Sequence, residues 1–412
     1  MTPFLQLAFL LAIFLLAAKL GGYLAARLGQ PSVLGELIVG LLLGPSLLDI
    51  VHLTFLDAHL MEAVIHEFAE LGVLILMFLA GLELHFSDLA KNRRVSALAG
   101  TLGVVVPVGL GFLVGELLGY DRQHSAFLGL TLGATSVSIS VQTLMELKVL
   151  RSRVGLALLG AAVFDDILVI LLLSIFLAVA GGTGGFLQIA IVFGRILLFL
   201  VLSAAFGIWV LPSLTRLIKK MHLSQGPLTL AIIILLVYGL AAELIGGMAA
   251  ITGSFLAGLM FSRTREKDEI ENGLRSLAYA LFVPIFFINI GLSVNLRSME
   301  LSAIWIILLI AAIALVGKVV GSGAGALLSH FSFRESIQLG IGMISRGEVG
   351  LIVANVGLTA GWLNNEVFSA IVGTVLITTL VTPPLLRASF HKSQSPPQPA
   401  PSHVSESNKE NA

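Results

Sequence analysis

Apolar stretches about as long as a bilayer is thick follow one another almost without pause from residue 4 to residue 387. A helix needs roughly 20 mostly apolar residues to cross a ~30 Å hydrocarbon core. Backbone polar groups inside that core find partners only within helices or closed barrels. The spacing predicts an all-α membrane protein with 13 spans: 4 to 26, 32 to 50, 70 to 87, 95 to 118, 124 to 147, 153 to 180, 187 to 215, 226 to 246, 248 to 263, 276 to 295, 301 to 328, 335 to 360 and 366 to 387. With 57% hydrophobic and 12% charged residues, lipid is the natural solvent for most of the chain. Net charge is zero, so nucleic acid is not an expected partner. Cysteine is absent, which excludes disulfides and thiol chemistry. The first apolar stretch lacks a positive start and runs past a signal core, so it reads as a mature helix.

Lys and Arg collect in cytoplasmic loops, and here they fall in alternate loops. One set holds 17 of them, at Arg27, Lys91, Arg93, Arg94, Lys148, Arg151, Arg153, Arg216, Lys219, Lys220, Arg263, Arg265, Lys267, Arg275, Arg334, Arg387 and Lys392. The other set holds Arg122 and Arg297 alone. That alternation predicts a multi-pass protein of the cell membrane with its N-terminus outside and its C-terminus in the cytoplasm. Residues 1–388 are expected to form the transmembrane domain. Residues 389–412, rich in Ser, Pro, Asn and Gln, read as a disordered cytoplasmic tail, and no nucleotide-binding regulatory domain is expected.

Residues 74 to 89 match 284 to 299, with Gly81 over Gly291, and Leu128-Gly129 falls over Leu339-Gly340 at an offset of about 210. An offset of seven helices inverts the second copy, the arrangement of secondary transporters with a midplane site.

Asp165 and Asp166 lie about 12 residues beyond Arg153, roughly 18 Å along a helix and therefore near the membrane centre. Two adjacent carboxylates there repel each other and lose hydration, so at least one is expected to hold a proton or a cation. Lys318 sits too deep to snorkel. Its carboxylate partner must be Glu348 or one of the Asp pair, with Asp165 the first choice. Gly317, Gly321 and Gly325 form a small-residue face that admits a close neighbour. Gly, Ser and Thr crowd the centre of the fifth span around Ala134-Thr-Ser-Val, and Arg346 and Glu348 sit at the centre of the twelfth. Such stretches suit broken helices whose freed carbonyls and half-helix ends bind ions. Arg346 and Glu348 read as a structural ion pair within the second of them. Adjacent aspartates on one helix point about 100° apart, so they cannot form the facing dyad of an intramembrane protease, and no enzymatic role is expected.

The chain resembles the monovalent cation/proton antiporters, in particular the NapA-like sodium/proton antiporters related to NhaA and to the membrane part of Kef potassium-efflux systems. The resemblance rests on Gln30-Pro-Ser-Val-Leu-Gly-Glu, Phe78-Leu-Ala-Gly-Leu-Glu, Ala134-Thr-Ser-Val, Ala161-Ala-Val-Phe-Asp-Asp, Gly317-Lys-Val and Arg346-Gly-Glu-Val-Gly-Leu-Ile. It implies a 13-helix fold with crossed broken helices and a dimerisation domain, hence a homodimer. It also implies that Asp166 is the proton and cation carrier, that Asp165 pairs with Lys318 as the coupling residue, and that Thr135 and Ser136 supply ion-site hydroxyls. Na⁺ would then be held by Asp165 and Asp166, with no cofactor beyond the transported Na⁺ and H⁺. A double Asp marks the electrogenic members of the family. The alternatives are a K⁺/H⁺ antiporter or K⁺ efflux protein of the same fold and a Na⁺-coupled organic-solute symporter. Asp165 departs from the Kef pattern, and the charged midplane is poorly suited to an organic substrate.

Overall fold

A computed structural model describes residues 1–84, 91–180, 186–221, 224–295, 297, 304–359 and 361–391. Among the described residues there are thirteen straight or broken helices and no strand, and ten of the thirteen are long and apolar enough to cross a membrane. They are α1 (Pro3–Arg27), α2 (Ser32–Leu43), α3 (Ala58–Leu82), α4 (Arg93–Leu117), α5 (Arg122–Gly133 and Ser138–Glu146), α6 (Arg153–Ala180) and α7 (Phe186–Ala205 extended through a π turn into Leu211–Lys220). There follow α8 (Gly226–Gly246), α9 (Ala250–Phe261), α10 (Lys267–Leu292), α11 (Ile304–Leu328), α12 (Phe333–Gly342 and Glu348–Thr359) and α13 (Asn365–His391).

The spans differ from expectation mainly at their ends. α3 begins at Ala58 rather than residue 70, because Met61, Ile65 and Ala69 bury one face while His59, Glu62, His66 and Glu67 occupy the others. α10 starts at Lys267 for the same reason, with Ile270 and Leu274 buried beneath a charged surface. α13 runs on through Ser389 to His391, and the tail expected beyond it lies outside the described residues.

The helices pack as two bundles. α4, α5, α6, α11, α12 and α13 form one; α1, α2, α3, α7, α8, α9 and α10 form the other. Glycines set the tight crossings. Gly81 and Gly258 let α3 meet α9, and Gly291 and Gly40 let α10 meet α2, because a Cβ at any of them would overlap the backbone opposite. The Gly317, Gly321 and Gly325 face of α11 packs on α4 rather than on the aspartate helix. α7 exposes most of its apolar surface, whereas residues 127–144 of α5 are all buried. In a bilayer that places α7 against lipid and α5 at the centre of the protein.

α5 is unwound over residues 134–137 and α12 over 344–347. The two breaks lie 210 residues apart, at the offset that aligns the two halves of the sequence.

Candidate ion site

The two breaks cross and bond to each other. Ser136 N donates to the Ser345 carbonyl at 2.9 Å, and the Ser345 hydroxyl donates to the Ser136 carbonyl. Ser140, in the second half of α5, donates to the Gly342 carbonyl at 2.6 Å and so satisfies the open end of α12's first half. Arg346 closes the other end. Its guanidinium donates to the carbonyls of Leu132 and Ile344, and the Thr379 hydroxyl donates to the Arg346 carbonyl at 2.6 Å. The last carbonyls of a helix carry a partial negative charge, so a buried cation lying across two such ends is the arrangement that electrostatics favours. The expected ion pair of Arg346 with Glu348 involves a side chain that lies outside the described residues.

α6 passes beside this crossing and points its two carboxylates in different directions. Asp165 turns toward α11, where Lys318 Nζ lies 2.7 Å from Oδ1, both side chains being almost wholly buried. Asp165 Oδ2 is buried, and the buried Thr135 hydroxyl faces the Asp165 carboxylate. Ser136 shares its hydroxyl with Ser138 at 3.0 Å. Asp166 turns toward the other bundle, and the Thr252 hydroxyl of α9 donates to its Oδ2 at 2.6 Å. Asp165, Asp166, Lys318, Thr135, Ser136 and Arg346 thus gather around one crossing.

Chemically, the cluster offers carboxylate, hydroxyl and carbonyl oxygens, the donor set of a hard monovalent cation, next to a buried ammonium that competes for the same carboxylates. No group of three or more His, Cys, Asp and Glu side chains able to hold a resident metal occurs among the described residues.

Sequence reasoning missed Thr252 because α9 is short, with a single Thr in an apolar run. It also missed the carbonyl partners of Arg346, which depend on where the helices break. Arg195 had no assigned partner in the sequence. It donates to the Leu244 and Ile245 carbonyls at 2.7 and 2.9 Å and closes the end of α8.

Between α3 and α10 on one side and α12 and α13 on the other lies a cavity of ≈ 190 Å³. Its lining includes His66, Glu70, Asn289 and Ser293, and it reaches Gly347 in the α12 break. Gly347 abuts the Ser136 hydroxyl. At the opposite end, near Arg27 and Arg153, the bundles are joined by polar contacts. Ser32 N and Oγ donate to Glu146 at 2.7 and 2.6 Å, and Tyr279 donates to Gln142 at 3.0 Å.

The family model described as sodium/hydrogen exchanger, transmembrane, matches residues 12–390. The chain belongs to the sodium/hydrogen exchanger family. As a multi-pass membrane antiporter of that family it is a transporter rather than an enzyme. It is 41% identical over 383 residues to the probable Na⁺/H⁺ antiporter GerT of Bacillus cereus, covering 93% of this chain and 99% of the relative. It is 39% identical to the Na⁺/H⁺-K⁺ antiporter GerN of the same organism, covering 93% and 96%. The solved sodium proton antiporter MjNhaP1 of Methanocaldococcus jannaschii shares the fold, with a TM-score of 0.68 at 17% identity over 95% of this antiporter and 97% of that chain.

Proposed function

We propose that this antiporter exchanges protons for Na⁺, and for Li⁺ where present, at Asp166 and Asp165, and that the exchange is electrogenic. The observation that carries the reading is the buried Lys318–Asp165 pair beside Asp166 at the helix crossing. A cation entering the site binds Asp166 and the oxygens of Asp165 and Thr135, and displaces Lys318 from Asp165. Coulomb attraction at about 4 Å is worth roughly 4 kcal/mol at an effective dielectric near 20, a size that ion binding can offset. Protons returning to the site expel the cation, so the carrier holds one or the other.

Alternating access follows from movement of the six-helix bundle against the seven-helix bundle. The cavity reaching Gly347 and the polar contacts of Ser32 with Glu146 support access from the side opposite the basic loops, which the loop charges assign to the outside. The protein then works in the cell membrane, N-terminus outside and C-terminus cytoplasmic, as a homodimer. A second reading, K⁺/H⁺ exchange by the same site, is favoured by the similarity to GerN, whose name includes K⁺. Proteoliposomes loaded with a pH dye and given Na⁺, Li⁺ and K⁺ in turn separate the two. Proton flux with Na⁺ and Li⁺ but little with K⁺ supports the first reading, and a K⁺ response as large as the Na⁺ response supports the second.

A further inference from the structure

The Asp166–Thr252 hydrogen bond joins the two bundles at the ion site itself. Asp166 belongs to α6 of one, Thr252 to α9 of the other, and the Thr252 side chain is 3% exposed. Thr252 lies in the first turn of α9, whose leading residue, Ala249, provides no side-chain cap. The first turn of a helix carries a partial positive charge and N–H groups with no partner inside the helix. An ionised carboxylate is therefore better placed there than a neutral one. The position of that turn is fixed from behind. α8 ends at Gly247, which takes φ +65°, a conformation open to glycine at little cost. Arg195 of α7 holds the Leu244 and Ile245 carbonyls just before it.

We propose that Thr252, with the first turn of α9, is a positioning residue that holds the ionised, unloaded Asp166 against the seven-helix bundle and thereby prevents the empty carrier from crossing. The proposal rests on the exchange reading above and adds to it the reason why exchange is obligatory. An Asp166 neutralised by a proton or by Na⁺ binds the turn less tightly, and a hydrogen bond to a charged acceptor is roughly twice as strong as one between neutral groups. Loading by either ion thus loosens the same contact, and emptying restores it. Lys318 of α11 interacts electrostatically with Asp166 and with its neighbour Asp165. Lys318 and Asp165 belong to the bundle that moves with Asp166, so neither of these two restrains it relative to α9.

The test compares wild type, Thr252→Val and Thr252→Ser in proteoliposomes, following ²²Na⁺ efflux into Na⁺-free medium at equal, alkaline pH on both sides, where protons are scarce. Na⁺-driven proton flux is measured in parallel. Wild type should lose Na⁺ slowly. Thr252→Val should lose it at least fivefold faster while keeping more than a tenth of wild-type exchange, and Thr252→Ser should restore the wild-type leak. Arg195→Lys, which weakens the turn from a distance, should raise the leak in the same direction and keeps the test decisive if Thr252→Val does not fold. A leak equal to wild type in Thr252→Val, or in Arg195→Lys where only that variant folds, overturns the proposal. A wild type without Na⁺-driven proton flux overturns instead the exchange reading on which it rests.

Discussion

Ser136 and Ser345 hold the two broken helices together by exchanging hydrogen bonds, the backbone N–H of one to the carbonyl of the other and the hydroxyl of the second back to the carbonyl of the first. Each residue comes from the centre of its own repeat, and each satisfies backbone that the break has released. Ser345→Ala removes one of these bonds and leaves a buried carbonyl short of a donor, at a cost of about 1–3 kcal/mol. A lower apparent melting temperature in detergent is expected, together with reduced exchange. A variant as stable and as active as wild type would show that the backbone bond alone carries the crossing.

Gly258 and Gly81 meet where α9 crosses α3, and a Cβ at Gly258 would overlap the Phe78 carbonyl. Gly258→Val must push the helices apart, and overpacking of this kind costs about 1–3 kcal/mol. Because α9 carries Thr252, whose contact favours the empty Asp166, the variant should also show a lower KM for Na⁺. Size-exclusion profiles across a heating series and the KM for Na⁺ measure the two effects. Unchanged values in both would mean that the crossing tolerates a wider spacing than the structure has.

Outside the membrane, Asp121 caps α5 by accepting from the Gln123 and His124 N–H groups at 2.9 and 3.0 Å. Hydrogen bonds from the His124 backbone and side chain hold its carboxyl below the ordinary value. A lowered folded-state value means that the contribution to stability is present above the unfolded value and is lost as pH falls through the folded one. Asp121→Ala should therefore melt earlier than wild type near neutral pH, and the gap should close on acidification below the ordinary Asp range. A gap that stays constant to low pH would assign the effect to helix propensity instead.

Much of this architecture was legible in the sequence, for physical reasons that differ from place to place. Hydrocarbon permits few ways to satisfy a backbone, so span length and the alternation of Lys and Arg fix the helix number. Burying Lys318 without a carboxylate would be too costly, which pointed to Asp165 before any distance was known. The midplane Gly, Ser and Thr residues marked both breaks. Thr252 was not legible, since its significance depends on where α9 begins relative to α6. The starts of α3 and α10 were hidden because charged residues such as Glu67 and Glu271 ride on helices whose opposite faces are buried.

Lys318 and Asp165 form a buried pair 2.7 Å apart, and removing one partner of such a pair typically costs about 3–5 kcal/mol. Lys318→Gln should be less stable by several degrees yet keep part of its exchange, because Asp166 remains. If Lys318 carries the second proton, exchange in the variant becomes electroneutral. Na⁺-driven proton uptake with and without an imposed membrane potential reads this directly. A variant as sensitive to potential as wild type would leave Lys318 a structural residue.

The central claim is that Asp166 carries both ions, and Asp166→Asn tests it most directly, because the amide keeps the shape and can still accept from Thr252. Na⁺-driven proton flux in proteoliposomes should fall to the level of protein-free vesicles while the purified variant still elutes as a single folded species. Flux near that of wild type in Asp166→Asn would contradict the account and move the carrier role elsewhere in the crossing.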